Sequence, residues 1–339
     1  MIKNHIQLNN YLKIIKDANI LGIDTEFRRV DSYFPELCLI QIATEDQIEC
    51  IDVLSILNLE PLFTKLYDAQ TKWIVHSARQ DIEALYFLSK RIPKTIFDTQ
   101  IAASFLNFPL QISYQSLTEK LENVVLEKKH TRFDWKMRPL PSDVLQYAID
   151  DVKYLIPIYK KLSKELIKHK KIEWAMEEFE FLLKIDTYEP NIRQIIKKTK
   201  GISKISSQNK GNAIKLVFWR EFIAQKKNKP RKWIMSDEKL ISYANGNNKL
   251  PSRSLNEFKN FLKTNNKEFK LENLIKVQKP LSDKELLIKN KLKEQINALS
   301  LEYNIPSELI CTSKSLTNFI RGEDLVSINK GWRSKIFKL

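Results

Sequence analysis

The chemistry in this sequence begins at Leu21-Gly22-Ile23-Asp24-Thr25-Glu26-Phe27, an apolar run that closes on two carboxylates. As a buried strand the run puts Asp24 and Glu26 on one face, roughly 6–7 Å apart, because side chains at i and i+2 point the same way. Two carboxylates converging in a dry site raise each other's pKa unless a cation compensates, and Mg²⁺ or Mn²⁺ suits an all-oxygen donor set. The same pair at a solvated strand end would need no ion, so acids elsewhere in the chain matter. Asp81 opens a helical stretch, where a carboxylate serves as a cap as readily as a ligand. Tyr147 and Asp151 are four residues apart and share a face of a later helix, an ordinary pairing when taken alone.

The elements that must position these residues are legible in outline. After the opening strand, Glu36–Ala43 and Ile48–Val53 read as two further strands joined by the polar Thr44-Glu45-Asp46-Gln47. Leu57–Tyr67 has helical periodicity, Lys72–His76 is a short strand, Gln80–Ser89 a helix, and Ile96–Gln100 a strand end with a polar tip. That order predicts a mixed sheet with helices packed on it, an α/β layer architecture. Ile101–Leu106 is helical, and the stretch from His130 to Pro141 is a loop dense in polar and aromatic groups. A long helix is expected from Pro141 with Val144, Leu145, Ala148, Val152, Leu155 and Ile156 as its apolar side.

Composition bounds the class of protein. At 339 residues with 43% hydrophobic content the chain is long enough for two or three globular domains. No apolar run has the length of a membrane span and the N-terminal residues lack a secretory core, so a cytoplasmic location is the default expectation. Cys38, Cys50 and Cys311 have no C-x-x-C spacing, which argues against a disulfide framework or a zinc site. The net charge of +16 is uneven: residues 1–150 carry 17 Lys+Arg against 20 Asp+Glu, and residues 151–339 carry 40 against 21. A near-neutral first part and a strongly basic remainder suit a catalytic body joined to a polyanion-binding one. A Lys-rich composition on a solvated surface would give the same tally without any ligand.

Taken together, Asp24-x-Glu26, His76-Ser77-Ala78-Arg79-Gln80-Asp81, Phe97-Asp98-Thr99-Gln100 and Tyr147-x-x-x-Asp151 resemble the DEDD exonucleases of the Tyr-bearing subclass. Tyr33-Phe34-Pro35-Glu36-Leu37-Cys38-Leu39-Ile40-Gln41, Asp134-Trp135 and Arg138-Pro139-Leu140 narrow the resemblance to the ribonuclease D family, over about residues 1–195. It implies an RNase H-like exonuclease core that hydrolyses RNA 3′ ends with two Mg²⁺ or Mn²⁺ ions and releases 5′-mononucleotides, with tRNA precursors as the expected substrate. It further implies Asp24, Glu26, Asp81 and Asp151 as metal ligands and Tyr147 as the residue that orients water. His76, Gln100, Arg132 and Arg138, with Asp98, would be substrate contacts or supports. A DNA 3′–5′ exonuclease of the same chemistry and a degenerate, RNA-binding relative are the alternatives; all four acids and Tyr147 being present weighs against the second.

Beyond that region, Lys160–Lys171 and Trp174–Leu183 are helical, and Lys197–Asn212, polar and containing Gly201 and Gly211, is expected to be a linker. The helix opening at Ala213, the basic loop Asn228–Trp233 and the cap signal Ser236-Asp237 resemble the small helical HRDC domain, expected over residues 210–282. Residues 285–339 repeat the pattern more weakly and suggest a second, divergent HRDC-like domain. Phe218, Trp219, Phe222 and Trp233 are expected in the helical core. RNA contact falls instead to Lys226, Lys227, Lys229, Arg231 and Lys232, whose charge would give affinity without sequence choice.

Overall fold

The structure, a computed structural model, describes residues 1–127, 133–265, 280–322 and 328–337. Its elements in chain order begin with α1 (His5–Ile14), β1 (Ile20–Arg28), β2 (Glu36–Ala43), β3 (Ile48–Asp52), α2 (Glu60–Leu66) and β4 (Lys72–Val75). They continue with α3 (Arg79–Ser89), β5 (Thr95–Asp98), α4 (Thr99–Ser104), α5 (Tyr114–Glu122), α6 (Ser142–Lys153), α7 (Leu155–Lys168), α8 (Ile172–Glu180) and α9 (Ile192–Lys198). Eight helices follow: α10 (Lys210–Lys226), α11 (Arg231–Ile234), α12 (Asp237–Ala244), α13 (Ser252–Thr264), α14 (Asp283–Tyr303), α15 (Ser307–Ile310), α16 (Ser313–Ile320) and α17 (Gly331–Phe337). None of the described helices is long and apolar enough to cross a membrane.

The chain divides into two units: residues 1–28, 37–187 and 281–339 form the first, and residues 29–36 with 188–280 the second. The first unit is built on a five-stranded mixed sheet in the order β3-β2-β1-β4-β5, with β1, β4 and β5 parallel and β2 antiparallel to β3. Strand β1 is therefore central. Leu21 and Ile23 are fully buried, as are Leu39, Ile40 and Ile42 of β2 and Trp73, Ile74 and Val75 of β4. Near-continuous apolar runs of this kind belong to strands covered on both faces.

Gly22 is needed for a close approach. A Cβ there would lie 3.3 Å from the Cβ atoms of both Ala43 and Leu155 and 3.5 Å from the carbonyl oxygen of Val152. Gly22 shares a face with Asp24, and Val152 follows Asp151, so the absent side chain lets the α6–α7 corner settle against β1 beside the acids. The single long helix expected from Pro141 is broken at Tyr154, which caps both α6 and α7. The break is held by Tyr114, whose hydroxyl donates to the carbonyl of Asp150 (3.2 Å) and accepts from the backbone N–H of Tyr154 (3.0 Å).

Residues 281–339 group with the first unit. The ring of Trp332 stacks on Trp174 of α8 with centroids 5.1 Å apart, its indole N–H donates to Glu178, and its backbone N–H donates to Glu177. The Glu177 carboxylate occupies the space where a Cβ on Gly331 would project, and Gly331 has φ +57°, so both space and backbone exclude a larger residue there. Arg333, itself buried, donates to Glu178 and to the carbonyls of Leu309 and Ile310.

In the second unit, the stretch Lys197–Asn212 departs from the linker expectation. Ile202 and Ile205 are buried in a core with Ile195, Ile196, Leu216, Val217, Trp219, Leu240 and Phe261. Apolar burial at those two positions outweighs the polar average of the stretch. Arg220 is fully buried, donating to Asp237 (2.7 Å) and to the Met235 carbonyl (3.1 Å). Residues 29–36 join this unit through Asn228, whose side-chain oxygen accepts from the N–H groups of Tyr33 and Phe34, both 3.0 Å away, and through a hydrogen bond from the Tyr33 hydroxyl to Glu221.

Helices α10–α13 and α14–α17 repeat one order of elements. Each set runs from a long helix to a four-residue helix entered from a proline, Pro230 or Pro306. An extended residue follows, Met235 or Cys311, then a hydroxyl cap, Ser236 or Thr312, that accepts from the N–H three residues on and starts an eight-residue helix.

Replacing Gly22 with valine should force the α6–α7 corner off β1. The expected result is a loss of about 1–3 kcal/mol of stability in urea unfolding. Weaker Mn²⁺ binding by calorimetry should accompany it, since Asp151 moves with the corner. Unchanged Mn²⁺ affinity in a destabilised Gly22→Val protein would separate the corner from the acidic site.

Candidate active site

Asp24 and Glu26 are the fifth and seventh of the nine residues of central strand β1, and Asp151 comes to them from the end of α6. One oxygen from each of the three carboxylates lies within 4.8 Å of the others. Asp81, the third residue of α3, is buried and accepts a 2.6 Å hydrogen bond from the Thr25 hydroxyl. The four acids occupy one open cleft of ≈ 480 Å³, which Tyr114, Phe133, Trp135 and Tyr147 also line.

Burial first, and repulsion by the other acids second, drive the carboxyl of Asp24 far above the ordinary carboxylate range. The same causes push Glu26 up to about 9, where Asp151 and then Asp81 are the repelling neighbours. Burial raises Asp81 to about 7, the Thr25 hydrogen bond opposing it, and raises Asp151 to about 6 against the hydrogen bond from Tyr147. The Tyr147 phenol is raised as well, by burial and then by Asp151 and Glu26. It therefore stays protonated and acts only through hydrogen bonds, one of which it donates to Asp151. A cluster of oxygens that repel one another at this spacing fits a hard divalent cation, which takes oxygen ligands and favours their ionised form.

The supporting residues are arranged around Asp98. Its carboxylate accepts four backbone N–H groups: Ser77 (3.2 Å), Ala78 (2.9 Å), Gln100 (2.9 Å) and Ile101 (3.2 Å). Ser77 has φ +61°, a strained conformation for a non-glycine residue that these bonds hold in place. The turn so fixed leads directly into α3 and sets the position of Asp81. His76 and Gln100, expected as substrate contacts or supports, are both tied to protein. His76 Nε2 and Gln100 Nε2 each meet the Ile112 carbonyl, at 2.9 and 3.0 Å, while His76 Nδ1 lies 2.9 Å from the Thr99 hydroxyl. Ile112 is two residues before Tyr114, so the pair steadies the tyrosine that holds the α6–α7 corner. His76 still reaches the cleft wall.

Arg138, expected as a substrate contact or a support, takes the second part. All its donors are spent inside the protein: Nε and Nη2 on the Asp52 carboxylate (2.8 and 2.7 Å), Nη2 also on the Cys38 carbonyl (3.1 Å), and Nη1 on Trp135 and Met137 carbonyls (2.7 and 2.8 Å). It fastens the loop carrying Phe133 and Trp135 to the sheet. Arg132 and His130 lie outside the described residues. Lys226, Lys227, Lys229, Arg231 and Lys232 belong to the second unit. Arg231 is partly committed there, 3.2 Å from Glu221.

Thr25 and Tyr114 were not singled out from the sequence. Thr25 sits between the two acids, and strand alternation turns it to the opposite face, where α3 brings Asp81. Nothing local to Tyr114 announces its role, because its partners are 36 and 40 residues away.

A central strand carrying two acids at alternate positions, met by a third from a late helix with a tyrosine one turn before it, defines a 3′–5′ exonuclease. Residues 1–167 match the family model described as "3'-5' exonuclease". The chain is 32% identical to ribonuclease D of Bartonella henselae, covering 99% of this chain and 87% of that one, and 31% identical to ribonuclease D of Sphingobium indicum, covering 99% and 92%. The chain belongs to the ribonuclease D family and is a 3′–5′ exoribonuclease. It shares its fold with Escherichia coli RNase D, at a TM-score of 0.82 and 23% identity over 99% of this chain and 95% of that one.

The raised carboxyl pKa values make cation binding pH-dependent. The folded, metal-free protein holds protons that the unfolded chain releases near pH 4, so these groups stabilise it at low pH and lose that contribution as pH rises through about 6 to 9. A divalent cation replaces those protons and recovers more at higher pH. The rise in melting temperature on adding Mg²⁺ or Mn²⁺ should thus be larger at pH 8.5 than at pH 6. An equal rise at both would contradict a carboxylate site.

Proposed function

We propose that this protein trims RNA 3′ ends, tRNA precursors among them, by hydrolysing the terminal phosphodiester and releasing 5′-mononucleotides. The observation that carries the reading is the gathering of Asp24, Glu26 and Asp151 within 4.8 Å in a cleft that also holds Asp81 and Tyr147. The Escherichia coli relative is described as an exoribonuclease involved in structured RNA processing, which supports a structured RNA as substrate here. A cytoplasmic site of action follows from such a substrate.

Two Mg²⁺ or Mn²⁺ ions bound by these acids would supply charge neutralisation at the phosphoryl oxygens, a more acidic water, and stabilisation of the leaving 3′-oxygen. Asp24 would bridge the pair, Glu26 and Asp151 would complete the water side, and Asp81 would serve the other side. The Thr25 hydroxyl holds one oxygen of Asp81 at 2.6 Å and so fixes the orientation of the carboxylate. Tyr147 keeps its proton, so its part is to hold the attacking water and Asp151 in register rather than to act as a base. Phe133, half-buried at the cleft wall with its ring centroid 5.4 Å from that of the buried Trp135, offers aromatic surface to the terminal base.

Helices α10–α13, and α14–α17 which repeat their order, are read as HRDC-like modules. Their role would be to hold the body of the RNA while its end is cut. The basic residues from Lys226 to Lys232 support that division of labour, because phosphate contacts hold without choosing sequence.

Asp24→Ala should abolish release of mononucleotides from a 3′-extended tRNA in Mg²⁺ while leaving the fold intact by circular dichroism. Tyr147→Phe should lower the single-turnover rate by about 10²-fold, the cost of losing the hydrogen bond that holds the attacking water in register. Wild-type turnover in Asp24→Ala, or products shortened from the 5′ end, would refute the proposal.

A further inference from the structure

Trp233 does not join the helical core where its neighbours suggested it would. It is 63% exposed, and no other tryptophan among the described residues is exposed. The reason is local. Helix α11 has four residues, and the core is served by Ile234, partly buried, and Met235, buried. A chain that turns those two inward leaves Trp233 outward, so the apolar surface of a large ring remains available to a ligand.

The ring is held ready rather than loose. Its backbone N–H donates to the Pro230 carbonyl at 2.8 Å. The adjoining Arg231 is tied to Glu221, a buried carboxylate that also takes the Tyr33 hydroxyl. Lys229 places its ammonium 5.6 Å from the Trp233 ring centroid and also reaches the Asp31 carbonyl at 3.4 Å. Lys226, Lys227, Lys229 and Lys232 are all exposed and lie within seven residues of the ring in sequence. An indole flanked by cations offers a stacking face and a phosphate-attracting rim together, the combination that unpaired nucleotides require.

We propose that Trp233 is a base-stacking platform for single-stranded RNA, with Lys226, Lys229 and Lys232 taking the adjoining phosphates. The proposal rests on the reading of RNA as substrate and adds a stacking subsite outside the catalytic cleft. An apolar protein partner would meet the Lys229 ammonium beside the ring and further exposed lysines along the same stretch, whereas a polyanion with flat bases matches both features.

The test uses the full chain carrying Asp24→Ala, in EDTA, with two fluorescent probes of about twelve nucleotides: an oligouridylate and its abasic ribose-phosphate counterpart. Trp233→Ala should weaken oligouridylate binding by about 5- to 100-fold and leave the abasic probe nearly unaffected. Trp233→Tyr, which restores an aromatic face, should recover most of the loss and controls for folding. Lys229→Ala should weaken both probes alike and flatten the dependence on salt. Equal loss on both probes in Trp233→Ala, or none on either, overturns the platform. So does a change in sedimentation without a change in RNA affinity, which would make the face a protein contact. Hydrolysis by the unaltered chain is scored separately: binding through Trp233 without any hydrolysis would refute the nuclease reading and leave the platform standing.

Discussion

The repulsion among four carboxylates gathered in one cleft is the constraint around which the first unit is arranged. Left alone, Asp24, Glu26, Asp81 and Asp151 would take up protons or drift apart, and each has its pKa raised. The fold resists the second outcome from several directions. Two of the acids are locked on the central strand of the sheet, whose neighbours on both sides prevent it from shifting. Asp98 anchors the turn that delivers Asp81, and Tyr114 anchors the corner that delivers Asp151. Stored repulsion of this kind is what a cation relieves on binding, so affinity for the ion and stability of the loaded fold have one source.

Three arginines serve the first and second units as fasteners. Arg138 ties a cleft-wall loop to the buried Asp52, Arg220 ties α10 to the start of α12, and Arg333 ties α17 to α8 and to the α15 carbonyls. Arg220 and Arg333 close equivalent turns in the two repeated helical sets from different helices, one from the first and the other from the last. A planar fork with five donors can satisfy a carboxylate and carbonyls at once, which a lysine cannot do. The lysines between Lys226 and Lys232, by contrast, stay at the surface, where they carry part of the charge excess of the second half of the sequence.

Much of the site was legible in the order of residues, and for a local reason. Strand alternation alone puts Asp24 and Glu26 on one face, and helical spacing alone puts Tyr147 under Asp151; both follow from backbone geometry that needs no distant partner. The strand order β, β, β, α, β, α and the apolar runs that become β1, β2 and β4 are of the same kind. The motifs that resemble the ribonuclease D family lie on those elements, which is why the family could be anticipated.

Tertiary structure decided whatever depended on a partner far along the chain. Arg138 looked free for substrate until Asp52, 86 residues away, took its guanidinium. Thr25 acquired a role only when α3 brought Asp81 to it across 56 residues. Lys197–Asn212 read as a linker because its average is polar, yet two isoleucines within it complete a core whose other members come from α9, α10, α12 and α13. Trp233 had the composition of a core residue, and the brevity of α11 turned it outward. Residues 281–339 joined the first unit because α8 offered Trp174, Glu177 and Glu178 to receive Trp332 and Arg333. Backbone periodicity is written locally and can be read from one segment; which surface a segment will meet is a property of the whole chain and appears only once it has folded.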